Sequence, residues 1–267
     1  MNQMLVRALS GAVYVALVIL FTLWGAYPWA GFSAGLMVLG LVEWYGLSKE
    51  SESNAPILWA IMPIGIFVAL FLQFTGISSG FIPAIIALVF PGLLFLNRPE
   101  SSALKELGGI LMASAYLAVP LGLSIGIHQH PGLEQGPFIL LSVFIFLWCN
   151  DTFAYLIGRW LGSTPLASDI SPRKTIEGTL GGMLFCMIAA LILSYYHTEL
   201  DSIDLMAMAL IVSSLGTLGD LFESKIKRIA DVKDSGWIFP GHGGVLDRID
   251  SFLFAIPGVF IYLQWIY

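Results

Sequence analysis

Residues 137–158 read PFILLSVFIFLWCNDTFAYLIG. The first twelve, 137–148, hold one polar side chain, Ser142, and the whole stretch holds one charge, Asp151. A helix needs about 20 such residues to cross the hydrocarbon core of a bilayer, so this segment is a membrane span. It also buries an ionisable group, which costs several kcal/mol unless the group is paired or hydrated. The rest of the chain agrees. Of 267 residues, 57% are hydrophobic and 11% charged, against about 25% charged in soluble domains. Mean hydropathy is +0.85. A soluble enzyme, a disordered chain and a disulfide scaffold are excluded. A net charge of −6 with no concentrated basic face argues against general nucleic-acid binding. Cys149 and Cys186 sit in apolar stretches and read as small buried hydrophobes.

Working outward, nine spans are expected, near 9–27, 29–47, 56–76, 81–97, 107–128, 137–158, 179–197, 203–222 and 249–267. Pro63, Pro83, Pro91, Pro120 and Pro257 predict kinks or shifted boundaries. The first span is read as a retained helix rather than a signal peptide, and its short connection to the second allows a re-entrant pair. Arg7 precedes span one, Lys49 follows span two, and Arg98 and Lys105 follow span four. Arg159, Arg173 and Lys174 follow span six, and Lys225, Lys227, Arg228, Lys233 and Arg248 follow span eight. These are all 12 Lys and Arg residues, and the nine-span count puts every one on the same side. By the positive-inside bias that side is cytoplasmic, with the N-terminus inside and the C-terminus outside. The expected fold is an all-α, polytopic integral membrane protein of one domain. Its helices over 1–135 are apolar; 136–267 carries the chemistry, since 20 of the 30 charges fall between Asp151 and Asp250.

Four clusters stand out near the cytoplasmic ends of the spans. The first is Asn150-Asp151 with Tyr155 and Arg159 at i+4 and i+8 from the acid, roughly one helix face; an Asp151–Arg159 pair is the plain structural alternative to a site. The second is Ser171-Pro172-Arg173-Lys174-Thr175, before Glu177-Gly178 and the glycines of the next helix. Cations and hydroxyls at a helix entrance suit an anion such as phosphate, but a basic loop that fixes topology would look the same. No Walker A spacing is present. The third is Asp220, Glu223, Ser224 and Lys227, at i, i+3, i+4 and i+7, followed by Arg228. Either a site or a salt-bridged helix end fits it. The fourth runs from Lys233-Asp234 through His242-Gly243-Gly244 to Asp247-Arg248-Ile249-Asp250. A capping carboxylate explains one of its acids, but two acids with Arg248 less well. Together Asp151, Asp220, Asp247 and Asp250 offer hard oxygen ligands of the kind Mg²⁺ takes beside substrate phosphates. Arg173, Lys174, Lys227, Arg228, Lys233 and Arg248 offer phosphate partners. That is the inventory of phosphoryl or nucleotidyl transfer.

The stretch Ser224 to Asp250 resembles the signature of the phosphatidate cytidylyltransferase (CDP-diacylglycerol synthase) family. The matching residues are Ser224, Lys227, Arg228, Lys233, Asp234, Gly236, Pro240, His242, Gly243, Gly244, Asp247, Arg248 and Asp250. The runs 150–155 and 171–178 also resemble family motifs. The resemblance implies an all-helical, homodimeric enzyme of the bacterial inner membrane, its site facing the cytoplasm. The implied reaction joins CTP and phosphatidate, with Mg²⁺, to give CDP-diacylglycerol and pyrophosphate. It makes Asp220 and Asp247 the leading metal ligands, with Asp151 in the same centre through a second cation such as K⁺. Asp250, Lys174 and Arg248 join Asp220 and Asp247 as expected catalytic residues. Asn150, Arg173, Lys174, Thr175, Ser224, Lys227, Arg228, Lys233, Asp234, His242, Gly243 and Gly244 are the expected substrate contacts. Membrane lipids are the remaining partners. Two other functions fit parts of the pattern: a CTP-dependent lipid-alcohol kinase and an ion-coupled transporter. The Asp247–Asp250 signature argues against the first, and acids clustered on one side without a repeat argue against the second.

Overall fold

The architecture is that of a computed structural model, which describes residues 3–48, 56–77, 79–80, 82–87, 89, 100–130, 132–236, 238 and 243–267. The helices are α1 (Gln3–Trp24), α2 (Ala26–Leu47), α3 (Pro56–Thr75), α4 (Glu100–Ala113), α5 (Val119–His128), α6 (Gly136–Leu161), α7 (Ile176–Leu193), α8 (Ser202–Ile229) and α9 (Leu246–Ile266). Six helical segments among the described residues are long and apolar enough to cross a membrane: Ala26–Leu47, Leu104–His128, Gly136–Leu161, Ile176–Leu193, Ser202–Ile229 and Leu246–Ile266. Their positions match six of the expected spans to within four residues, except that the eighth runs seven residues past its expected end at 222, because the apolar run and the helix are the same physical object in a bilayer. Most of the expected span 81–97 lies outside the described residues, as do Lys49, Pro91, Arg98 and His242. The fold departs from all-helix at β1 (Pro165–Ala167) and β2 (Ser171–Thr175). They form an antiparallel hairpin that pairs Pro165 with Thr175 and Ala167 with Ser171.

The chain forms two compact units, Met1–Gln129 with Val232–Asp247, and His130–Asp231 with Arg248–Tyr267. In the first, Gly25 (φ 137°) breaks the chain between α1 and α2, a turn that the left-handed region reserves for glycine. Fully buried Trp29 donates its indole N–H to Ser124 Oγ at 2.9 Å, tying α2 to α5. Pro120 does not end its helix. A π-helical turn, Ser114–Ala118, joins α4 to α5 just before it, with Val119 N–H donating to Ser114 O. Pro63 and Pro257 likewise lie inside continuous helices.

In the second unit α6 and α8 have 26 and 28 residues, about 39 and 42 Å at 1.5 Å per residue. Both outrun a hydrocarbon core of about 30 Å, so each carries polar residues past its apolar part. The hairpin turns the chain from α6 back along α7. Glu177 fastens it by accepting from Ser163 Oγ at 2.7 Å and from Thr164 N at 3.1 Å. Thr175 is the N-cap of α7, its hydroxyl accepting from Gly178 N at 3.2 Å. A Cβ at Gly178 would collide with the backbone of Ala154 and Gly158, and one at Gly182 with Asn150. Small residues therefore let α7 lie directly on α6, and the rings of Phe153 and Phe185 stack at 3.7 Å along that seam. Phe144 stacks on Phe252 of α9 at 4.6 Å.

Candidate active site

The α6–α7 seam and the nearby face of α8 line an open cavity of about 640 Å³ within the second unit. Asn150, Asp151 and Arg159 reach it from α6, Arg173, Lys174 and Thr175 from β2, and Thr217 and Asp220 from α8. Each arrives for a local reason. Asp151 sits among the apolar residues of α6 but lines the cavity, where a carboxylate can face water inside the protein rather than lipid. The hairpin carries Arg173 and Lys174 back over the end of the bundle. Thr217 and Asp220 are three residues apart, one helical face.

Lys174 Nζ forms an ion pair with Asp220 Oδ2. Both side chains are about 30% exposed, at 28% and 32%, so the pair stays open to solvent and to ligands. Ser224 Oγ donates to Asp220 Oδ1 at 3.3 Å, as the i, i+4 spacing required. Asn150 is buried. Its Nδ2 donates to Thr217 Oγ1 at 3.4 Å, and its Oδ1 has no hydrogen-bond partner among the described residues. Arg159 is exposed at the cavity wall and does not pair with Asp151. Eight residues of helix, about 12 Å, separate them along α6.

The structure sorts the expected site residues into groups. Asn150, Asp151, Arg173, Lys174, Thr175 and Asp220 share the cavity. Lys227 does not line it and pairs with Glu223 at 2.6 Å, so the salt-bridged reading fits the end of α8. Arg228 is exposed, and Arg248 is half-buried in the first turn of α9. Asp250 is buried, with Oδ1 accepting from Ser251 N at 2.7 Å; Ser251, not Asp250, lines the cavity.

Lys233, Asp234, Gly243, Gly244 and Asp247 belong to the first unit. There Asp247 Oδ2 accepts from Ser235 N at 2.9 Å, Ser235 Oγ at 2.8 Å and Gly244 N at 2.8 Å. Gly243 has φ +85°, and a Cβ there would press on Asp247. Sequence reasoning missed Glu43, which is buried in α2 and accepts from Val245 N at 2.8 Å and Leu246 N at 2.9 Å. The usable signal was an acid in an otherwise uncharged span. It also passed over Thr217 and Ser251; Thr217 was legible from its spacing to Asp220.

No group of three or more His, Cys, Asp or Glu side chains gathers to hold a metal among the described residues. The cavity has two carboxylates, Asp151 and Asp220, beside the oxygens of Asn150 and Thr217. That donor set is too small for an all-protein cage. It fits Mg²⁺, which takes one or two carboxylates and completes its shell with substrate phosphates and water. The Lys174 ammonium on Asp220 shows that this carboxylate already accepts a cation.

Acids facing cations in an open cavity between apolar helices are the working parts of a membrane nucleotidyltransferase. The model of the Cytidylyltransferase family matches residues 5–266, and the chain belongs to that family. It is similar to the phosphatidate cytidylyltransferase of Bacillus subtilis (strain 168), with 32% identity over 98% of this chain and 98% of that protein. The protein of the same name from Synechocystis is 30% identical over 96% of this chain and 95% of its own length. That of Staphylococcus aureus (strain COL) is 32% identical over 95% and 96%.

Proposed function

We propose that the chain transfers CMP from CTP to phosphatidate, releasing pyrophosphate and giving CDP-diacylglycerol. The observation that carries this reading is the cavity, where Asp151 and Asp220 face Arg159, Arg173 and Lys174. A phosphatidate phosphate oxygen attacks the α-phosphorus of CTP. The new P–O bond forms there as the bond to the β-phosphate oxygen breaks, and the electron pair leaves with pyrophosphate. The nucleophile is already an anion near neutral pH, so no strong general base is needed. The protein's work is to position two polyanions and neutralise their charge.

Asp151 and Asp220 would hold Mg²⁺, which supplies charge neutralisation to the phosphates when bound; the resemblance brings Asp247 to the same role. Lys174 exchanges its carboxylate partner for phosphate oxygens, and Arg173 and Arg159 hold the remaining negative charge. Thr175 and the start of α7 add hydroxyl and N–H donors. The uncharged Asn150 oxygen suits a second, monovalent cation such as K⁺. Phosphatidate lies in the leaflet and CTP in the cytosol, so a site at the cytoplasmic face of the bacterial inner membrane meets both. The nine-span topology, N-terminus inside and C-terminus outside, rests on the one-sided placement of all 12 cations. A reporter fused after Tyr267 and active only in the cytoplasm would contradict it. The homodimer rests on the resemblance, and the mass of the detergent-solubilised particle checks it.

The test of the reaction is incubation of the purified protein with α-labelled CTP, phosphatidate and Mg²⁺. Label entering the lipid is the expected result; label remaining in CDP would establish a lipid kinase instead.

A further inference from the structure

We propose that Glu43 is a positioning residue for the reaction, acting through the loop that presents Asp247. The inference rests on the activity proposed above. α2 carries no other charged side chain, and Glu43 is only 6% exposed. An acid so placed must have partners, and here they are the loop itself. Oε1 accepts from Val245 N at 2.8 Å. Oε2 accepts from Leu246 N at 2.9 Å and lies 3.0 Å from the Ser235 hydroxyl. That hydroxyl also reaches Asp247 Oδ2 at 2.8 Å. One side chain from α2 thus holds the backbone that enters α9 and touches the serine that holds Asp247.

Two signature glycines acquire a reason. A Cβ at Gly236 or at Gly244 would collide with the Glu43 carboxylate. The loop backbone closes on that carboxylate from both sides, which only glycine permits. Gly40, one turn before Glu43, brings α2 against Leu117 and Leu246; a Cβ there would lie 3.1 Å and 3.4 Å from their methyl groups. The register of Glu43 against the start of α9 is therefore set by packing as well as by hydrogen bonds. Glutamine cannot replace it. Its NH₂ would face either the Val245 N–H or the Leu246 N–H, placing donor against donor and leaving a buried N–H without an acceptor.

The test compares wild-type, Glu43→Gln, Glu43→Asp and Gly244→Ala proteins by steady-state kinetics and amide hydrogen exchange. For Glu43→Gln, exchange over 232–247 should quicken about tenfold or more while 136–229 keeps its protection. kcat should fall about tenfold or more, with KM for CTP and for phosphatidate within about threefold. Glu43→Asp, which keeps the charge on a shorter arm, should recover part of both losses. Gly244→Ala should reproduce the pattern from the loop side, and the Glu43→Gln/Gly244→Ala double variant should be no worse than the poorer single. Native exchange and kcat in Glu43→Gln, protection lost across the whole chain, a loss confined to KM, or losses that multiply in the double variant would each overturn the proposal. If the wild-type protein transfers no label, the activity reading fails by itself, and the exchange pattern still decides whether Glu43 holds the loop.

Discussion

The two units treat their carboxylates in opposite ways. In the second, Asp220 is matched by Lys174, a cation on a flexible stem in an open cavity. A bound polyanion can take over that cation and leave the acid to a metal. In the first, Glu43 and Asp247 are matched by backbone N–H groups and a serine hydroxyl of one short loop. No ligand displaces backbone donors without unmaking the loop. An acid paired with a mobile cation is available for chemistry; an acid saturated by backbone is engaged in holding geometry. In the proposed reading Asp247 does both: the resemblance assigns it to the metal, while the loop already uses one of its oxygens.

The largest effects should follow from the acids. Asp220→Asn and Asp247→Asn should each lower kcat/KM about 10³-fold or more. Amide exchange separates them: Asp247→Asn should quicken exchange over 232–247, and Asp220→Asn should leave it native. Equal exchange in the two variants would erase the contrast between the units. Next, Lys174→Met should cost about 10²-fold in kcat/KM through lost phosphate charge. It should also strengthen Mg²⁺ binding measured without substrate, because the competitor for Asp220 is gone. Asp151→Asn should cost about 10²-fold, with a raised Mg²⁺ requirement in the same titration. Smallest, Lys227→Met should change kcat/KM less than about threefold, since Lys227 pairs with Glu223 at 2.6 Å and does not line the cavity. It should instead lower the melting temperature, because Glu223 is only 1% exposed and would lose its ion-pair partner.

Six of the nine expected spans were legible because hydropathy and helix length answer to the same bilayer. α7 starts at Ile176, three residues before the expected 179, because Glu177 and Gly178 read as loop while Thr175 in fact caps the helix. The strand character of Ser171–Thr175 escaped notice because the residues that pair with it, 165–167, carry no alternating pattern. Asp151, Lys174 and Asp220 were each picked out from local context. That Lys174 meets Asp220, 46 residues on, while Arg159 does not meet Asp151, is a tertiary fact that no i, i+4 rule contains. Glu43 lies 192 to 203 residues from its partners. Locally it showed only that an acid in a span needs company.

The central claim is that the Asp151–Lys174–Asp220 cavity performs the transfer, and a single-turnover experiment tests it most directly. Wild-type and Asp220→Asn proteins, reconstituted in phosphatidate-containing vesicles, are mixed with α-labelled CTP and Mg²⁺, and the label is followed into lipid and the pyrophosphate released is measured. The account predicts stoichiometric labelling of lipid with equal release of pyrophosphate by the wild type, and labelling slower by about 10³-fold in Asp220→Asn. Labelling at the wild-type rate in Asp220→Asn would contradict it.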